Sequence, residues 1–223
     1  GLESTKDYNK DFPVWPLRYG KLMIMTDQDV DGSHIKGLII NYFDEFHPGL
    51  LKKGFVTCMT TPIVKVTKGK KIATFYSEPE YEKWKEANNN GKGWHAKYYK
   101  GLGTSNAKEA KEYFSSPKIV NYDWTPDLSG EAIDLAFRKS RADNRKTWLE
   151  THNQENVLDH TRENVTYEDF FNKEFIQFSL YSVKRAIPCV VDGHKPSQRK
   201  VIYACLKRNL VKEIKVAQLS GYV

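Results

Sequence analysis

The chain has 223 residues, 28% of them charged and 13% aromatic, and its 35 Lys and Arg against 28 Asp and Glu leave a formal net charge of +7. No apolar run approaches the length of a membrane span and the first residues are polar, without a secretory signal pattern, so the sequence reads as a soluble protein. Three widely spaced cysteines, Cys58, Cys189 and Cys205, support neither a disulfide framework nor a zinc site and suit a reducing compartment.

Residues 22 to 34 read Leu-Met-Ile-Met-Thr-Asp-Gln-Asp-Val-Asp-Gly-Ser-His. Leu22 to Met25 is too short for a buried helix and too apolar for a loop, which predicts a central parallel strand. Beyond the turn at Gly32, the residues Ile35, Leu38, Ile39, Tyr42, Phe43 and Phe46 recur at helical spacing, with Ser33 as N-cap and Pro48 and Gly49 as stop signals. An amphipathic helix packed on the sheet is expected, with Asp27, Asp29 and Asp31 at the carboxyl end of the strand, the usual ligand edge of an open α/β sheet.

Carboxylates so close repel, and a divalent cation is the natural compensation; Mg²⁺, which takes hard oxygen ligands and is held by one or two carboxylates, is the candidate. A calcium EF-hand loop would need Glu at its twelfth position, where this chain has Leu38, and an Asp-x-Asp-x-Thr/Val phosphatase would need Thr or Val where Asp31 stands. A solvated acidic turn is the plain alternative.

Further along, Val56 to Tyr76 reads as strand-rich and Asn88-Asn89-Asn90-Gly91-Lys92-Gly93 as a surface loop. Lys100-Gly101-Leu102-Gly103 is a glycine-containing turn before a helical stretch from Ala107 to Phe114, where backbone amides and Lys100 could face a phosphate, although a single Gly-x-Gly is more often a plain turn. Arg145 and Lys146 lie in a polar helical stretch whose default role is surface ion pairing. The charge is uneven: residues 1–177 hold 26 basic and 26 acidic residues, and residues 178–223 hold 9 and 2. That basic end, with Lys195, Arg199 and Lys200 among its cations, is the footprint of a phosphate-backbone binder, and Arg199 to Leu210 can form a helix with one apolar and one basic face.

The stretch from Tyr19-Gly20-Lys21 through Thr26-Asp27-Gln28-Asp29-Val30-Asp31-Gly32-Ser33-His34-Ile35-Lys36-Gly37 resembles the Toprim domain of eukaryotic-type DNA topoisomerase II. The other matches follow in the same order: Thr61-Pro62-Ile63-Val64-Lys65, Lys97 to Thr104, Asp143-Asn144-Arg145-Lys146, Asp192 to Val201, and Lys215 to Leu219. His194 and Ser197 depart from the Leu and Gly of the family motif.

The resemblance implies an α/β architecture with a Toprim, Rossmann-like parallel sheet over residues 1–116, carrying a strand-rich extension; a mainly helical connector over 117–177; and the start of a winged-helix DNA breakage-reunion domain over 178–223. It implies Mg²⁺ at Asp27, Asp29 and Asp31, with Mn²⁺ or Ca²⁺ as substitutes, and DNA contacts from Lys100, Arg145, Lys146, Lys195, Arg199 and Lys200. Double-stranded DNA, a homodimer, ATP in the full-length enzyme, a nuclear location and no membrane are the further implications. The family's Toprim glutamate is expected upstream of Gly1 and its nucleophilic tyrosine, which follows an arginine, beyond Val223; Tyr222 follows Gly221 and does not match. A catalytically inactive fragment of an ATP-dependent type II topoisomerase is therefore expected. Another Toprim metal-dependent nuclease or primase, or a non-catalytic DNA-binding module, are the alternatives.

Overall fold

The computed structural model describes residues 2–3, 8, 17–153 and 156–223. The remaining stretches of the expected Toprim-like domain, residues 1, 4–7 and 9–16, and residues 154 and 155 of the expected connector lie outside that set. The chain forms two compact units, residues 1–178 and 179–223. No helix among the described residues is long and apolar enough to cross a membrane.

The first unit is a mixed α/β structure. Strand β1 (Leu22–Ile24) leads through the aspartate loop into helix α1 (Val30–Phe46) and the short helix α2 (Pro48–Lys52), and β2 (Val56–Thr60) returns parallel to β1 with Leu22 opposite Val56 and Ile24 opposite Cys58. Then follow β3 (Val64–Lys68), β4 (Lys71–Phe75), α3 (Glu78–Ala87), β5 (His95–Tyr98), α4 (Ala107–Ser115) and β6 (Lys118–Asp123). Helices α5 (Leu128–Phe137) and α6 (Ala142–Glu150), strand β7 (Asn164–Thr166) and the single turn α7 (Tyr167–Asp169) complete the sequence, before a π-helical segment at Phe170–Phe175 and helix α8 (Ile176–Ala186).

The main sheet has the order β1-β2-β6-β7. Its outer pairs, β1 with β2 and β6 with β7, are parallel, and β2 and β6 join them antiparallel. The parallel reading of β1 holds, but among the described residues β1 lies at an edge rather than in the centre. All five residues of β2 are buried, as a strand covered on both faces requires. A second, antiparallel sheet, β4-β3-β5, takes β3 and β4 from the expected strand-rich stretch Val56 to Tyr76 and adds β5 from beyond it, and it packs Val64, Val66 and Phe75 against Tyr81 of α3. The stretch 117–177 carries helices α5 and α6 as expected, and it also supplies two strands, β6 and β7, that are integral to the main sheet; pairings that distant carry no local signature.

Helix α1 turns a partly different face inward: of the expected stripe Phe43 is buried and Ile39 packs on the core, but the rest faces outward. Ile35, Leu38, Tyr42 and Phe46 are about half exposed, and the buried positions are Gly32, Ser33, Lys36, Gly37, Ile40 and Phe43. The reason is steric. A Cβ on Gly37 would run into the Phe175 ring, so the small residues of α1 admit a wall of Phe170, Phe171 and Phe175, all buried in the core with Ile40, Leu50, Val56, Tyr122, Ile133 and Tyr167. The helix starts at Val30, and its N-cap is Asp29 rather than Ser33. It ends at Phe46, but Pro48 opens α2 as its first-turn proline instead of only stopping α1.

The second unit contains only helices and turns among its described residues, with α9 (Pro196–Lys207) and α10 (Val216–Tyr222) following the end of α8. The helix expected from Arg199 to Leu210 begins three residues earlier. Its expected apolar face is not filled within the chain: Ala204 is buried, while Leu206 is 75% exposed. Ser197 sits inside the first turn of α9, an ordinary helical position that asks for no glycine.

Candidate metal centre and nucleic-acid interface

At the carboxyl end of β1 the chain stops forming sheet and its aspartates meet backbone amides. Asp29 has extended backbone angles, and its Oδ1 accepts the Gly32 N–H at 2.7 Å, so the carboxylate caps α1 where the helix dipole favours negative charge. Asp27 Oδ1 accepts the N–H of Leu102, 75 residues away, at 2.7 Å. The glycine turn expected to face a phosphate therefore offers one of its amides to the aspartate loop. Gly101 is required there by close approach rather than by its extended φ of −177°: a Cβ would lie 2.5 Å from Asp27 Oδ2 and 2.6 Å from Cγ.

Loop 100–104 is braced from both sides. Glu109, near the start of α4, accepts from the Tyr99 hydroxyl at 2.6 Å, from Lys97 Nζ at 2.8 Å and from the Asn106 N–H at 2.9 Å, and Asn106 Oδ1 in turn caps the Glu109 N–H at 2.9 Å. This capping box and the end of β5 bracket the loop. Burial alone would raise the Glu109 carboxyl, but the bonds from Lys97, Tyr99 and Asn106 outweigh it and hold the group down to about 2. Burial and the Glu109 contact push the Tyr99 phenol up.

Asp31 is exposed in the first turn of α1, and among the described residues no three His, Cys, Asp or Glu side chains gather as a ready-made metal cage. The donors fit a hard cation held by two carboxylates. Asp27 and Asp29 each commit one oxygen to a backbone amide and have a second to offer, and Mg²⁺ characteristically takes one or two carboxylates and completes its shell with water and phosphate oxygens. A cleft of about 440 Å³ borders Asp29 and is lined by Gln28, Ser33, His160, Lys173 and Glu174, with burial holding the His160 imidazole below its usual range.

Beneath this loop lies a charge pair that periodicity did not reveal. Lys36, 3% exposed, meets Glu174 at 2.5 Å, and the Ser33 hydroxyl donates to the same carboxylate oxygen at 2.7 Å. Burial opposes both charges, yet their attraction wins, raising the lysine and lowering the carboxyl. The local signal was confined to Lys36, a charge within the otherwise apolar run Ile35 to Ile40, since Glu174 stands among other polar residues such as Asn172 and Lys173.

The expected DNA contacts fall into two groups. In the first unit Lys100 is exposed beside Gly101, while the Arg145 Nη1 donates to the carbonyls of Arg138 at 2.7 Å and Leu135 at 3.2 Å, so its guanidinium is partly spent closing the end of α5. Lys146 pairs with Asp143 at 2.7 Å on the surface, an exposed pairing that a phosphate could replace at little cost. In the second unit Arg199 grips Asp192 through two bonds of 2.9 Å, and Asp192 also accepts the His194 N–H at 3.0 Å. Those bonds hold the Asp192 carboxyl down to about 2 and shape the turn, with Gly193 at φ +68°, that presents Lys195 at the start of α9. Lys200 is exposed on α9.

Comparison with known sequences and structures shows which proteins the chain is similar to. Residues 59–183 match the family described as the C-terminal associated domain of TOPRIM, and residues 185–223 match the A-subunit family of DNA gyrase/topoisomerase IV. The first match takes in more than half of the chain and defines the class, a TOPRIM-associated α/β protein. Among relatives, DNA topoisomerase 2 of Plasmodium falciparum is 54% identical over 226 residues, that of Arabidopsis thaliana 52% over 229, and DNA topoisomerase 2-alpha of Homo sapiens 48% over 237, each match taking in 100% of this chain. The crystal structure of the DNA-binding, cleavage and re-ligation domain of Plasmodium falciparum topoisomerase II superimposes with a TM-score of 0.86 at 52% identity, over 99% of this chain and 30% of that one. The chain belongs to the eukaryotic DNA topoisomerase 2 family. It spans only 15% to 16% of the length of those three relatives.

Two expected outcomes follow from the braced loop. Gly101→Ala should destabilise the chain by about 1–3 kcal/mol, because the new methyl collides with the Asp27 carboxylate, whereas Gly103→Ala, with nothing within 4 Å of its Cβ, should stay within about 0.5 kcal/mol of the parent. Urea unfolding of the two variants checks this; equal losses would contradict the close approach. Glu109 has a folded pKa below its unfolded value, so its stabilisation is complete above about pH 5 and fades as pH falls toward about 2. The stability gap between the parent and Glu109→Gln should therefore be on the order of 2 kcal/mol at neutral pH and close over that acid range. A gap that stayed constant from neutral to acid pH would show that the carboxylate charge is not what holds the loop.

Proposed function

We propose that the chain is the metal-binding and DNA-gripping part of an ATP-dependent type II DNA topoisomerase, which cleaves both strands of one duplex, lets another pass and religates the break. The observation that carries this reading is the pair Asp27 and Asp29 at the carboxyl end of β1, each anchored through one oxygen to a backbone amide with a second oxygen to offer. Membership of the DNA topoisomerase 2 family supports it.

In this reading Asp27 and Asp29 hold Mg²⁺, with Mn²⁺ or Ca²⁺ as substitutes, and Asp31 supports or shares it. The ion would supply charge neutralisation at the scissile phosphate and at the leaving oxygen. The Leu102 and Gly32 amides fix the direction of the two carboxylates before DNA arrives, so no reorganisation is spent at the moment of reaction. Lys100, Arg145 and Lys146 on the first unit, and Lys195, Arg199 and Lys200 on the second, take backbone phosphates of double-stranded DNA. The division into a Toprim-like part (1–116), a connecting part (117–177) and the start of a winged-helix part (178–223) belongs to the same proposal. The acid-base glutamate, the nucleophilic tyrosine and the ATP site come from other parts of a homodimeric nuclear enzyme, and this chain alone is inactive.

In the full-length enzyme, Asp27→Ala should abolish Mg²⁺-dependent cleavage of supercoiled DNA while leaving salt-sensitive DNA binding in place. Persistent cleavage would remove Asp27 from the metal centre. Cleavage without religation would favour a Toprim nuclease, and binding without any cleavage in the unmutated enzyme would favour a non-catalytic DNA-binding module.

A further inference from the structure

The buried pair of Lys36 and Glu174 lies outside the proposed metal centre, and no step of the proposed reaction uses it. For stability alone such a pair is a poor device, because two charges lose their water and well-packed apolar residues of the same volume serve as well or better. What the pair provides is a fixed point. The π-helical segment Phe170–Phe175 buries Phe170, Phe171 and Phe175 in the core and carries Glu174 among them, and single π turns of this kind recur at functional sites. The Lys36 ammonium also stands 5.9 Å from the centre of the Phe170 ring.

From Glu174 a short series of contacts reaches a proposed metal ligand. Its Oε1 receives the Ser33 hydroxyl at 2.7 Å, the Ser33 N–H bonds the Asp29 carbonyl at 3.1 Å, and the Asp29 carboxylate receives the neighbouring Gly32 N–H at 2.7 Å. The Ser33 hydroxyl also reaches the Asp29 carbonyl at 3.2 Å, but its single proton goes to the shorter, charged acceptor. The first turn of α1 is thereby fastened through Ser33 to the core segment that carries Glu174.

We propose that Glu174, held in place by Lys36, is a positioning residue for the metal centre: through Ser33 it fixes the first turn of α1 and with it the direction of the Asp29 carboxylate. This inference rests on the metal site proposed above. Outer partners that orient a ligand characteristically govern affinity for the ion without touching it.

The test uses the 223-residue chain and Mn²⁺, whose free aquo ion gives an electron paramagnetic resonance signal that is lost on binding. Four proteins are compared, each also melted without metal: the parent, Asp29→Asn, Ser33→Ala, and the double variant Lys36→Met with Glu174→Leu, which leaves the Ser33 hydroxyl no acceptor at position 174. The double variant removes both charges, so it leaves no unpaired buried ion and keeps the fold testable. The parent is expected to bind Mn²⁺ and Asp29→Asn to lose binding. Ser33→Ala and the double variant should each bind about tenfold more weakly, with the Ser33→Ala melting midpoint within about 4 °C of the parent. Amide exchange at Gly32 and Ser33 should quicken in both without metal, because the turn is no longer fastened. If both variants bind Mn²⁺ like the parent while Asp29→Asn does not, the positioning role is overturned and the metal site stands. If the parent itself binds no Mn²⁺, the metal site falls, and this role falls with it.

Discussion

Two backbone amides, those of Gly32 and Leu102, hold the carboxylates on which everything else in the first unit depends. Aspartates placed one residue apart repel unless something positive faces each of them, and a main-chain N–H is the smallest group that can do so without occupying the space a cation needs. One amide is local and comes with the start of α1. The other must be imported from a loop far along the chain, and much of the fold serves that import: β5 delivers the loop, α4 receives it, and Glu109 ties the two together.

The same region shows how charge is used at two depths. Near the surface the pairs are weak and exchangeable, as with Lys146 and Asp143. In the interior the pair of Lys36 and Glu174 is neither exchangeable nor cheap, and it stands where α1, the strand-end loop and the π-helical segment converge. Arg145 and Arg199 fall between these cases, each binding protein acceptors that shape a helix end or a turn while remaining partly exposed. Their value to a nucleic acid would lie as much in the surface they organise as in the charge they carry.

What could be read from the sequence is what local chemistry determines. The strand, acidic loop and helix at residues 22–46, the strands β2 to β4 between Val56 and Tyr76, the helix after the glycine turn and the basic helix near the end all follow from short-range pattern. The misreadings share one cause. Only part of the buried face of α1, Ile39 and Phe43, was read correctly, because Phe170 and Phe175 enter from the far end of the unit and favour the small residues Ser33 and Gly37 over the rest of the apolar stripe. Strands β6 and β7 lie between and beside helices of the expected connector, and each finds its partner only in three dimensions. Asp29 competes with Ser33 for the N-cap, and the spacing alone could not rank them. The three-aspartate reading was legible as a charge problem, but not the division in which two carboxylates are clamped by amides and Asp31 is left on the surface.

The most direct test of the central claim is an anomalous-scattering map from crystals of this chain soaked with Mn²⁺. The account predicts one strong peak ligated by the second oxygens of Asp27 and Asp29, with the bonds to Leu102 and Gly32 unchanged. A peak held elsewhere, or none at all beside two carboxylates still clamped by their amides, would contradict it.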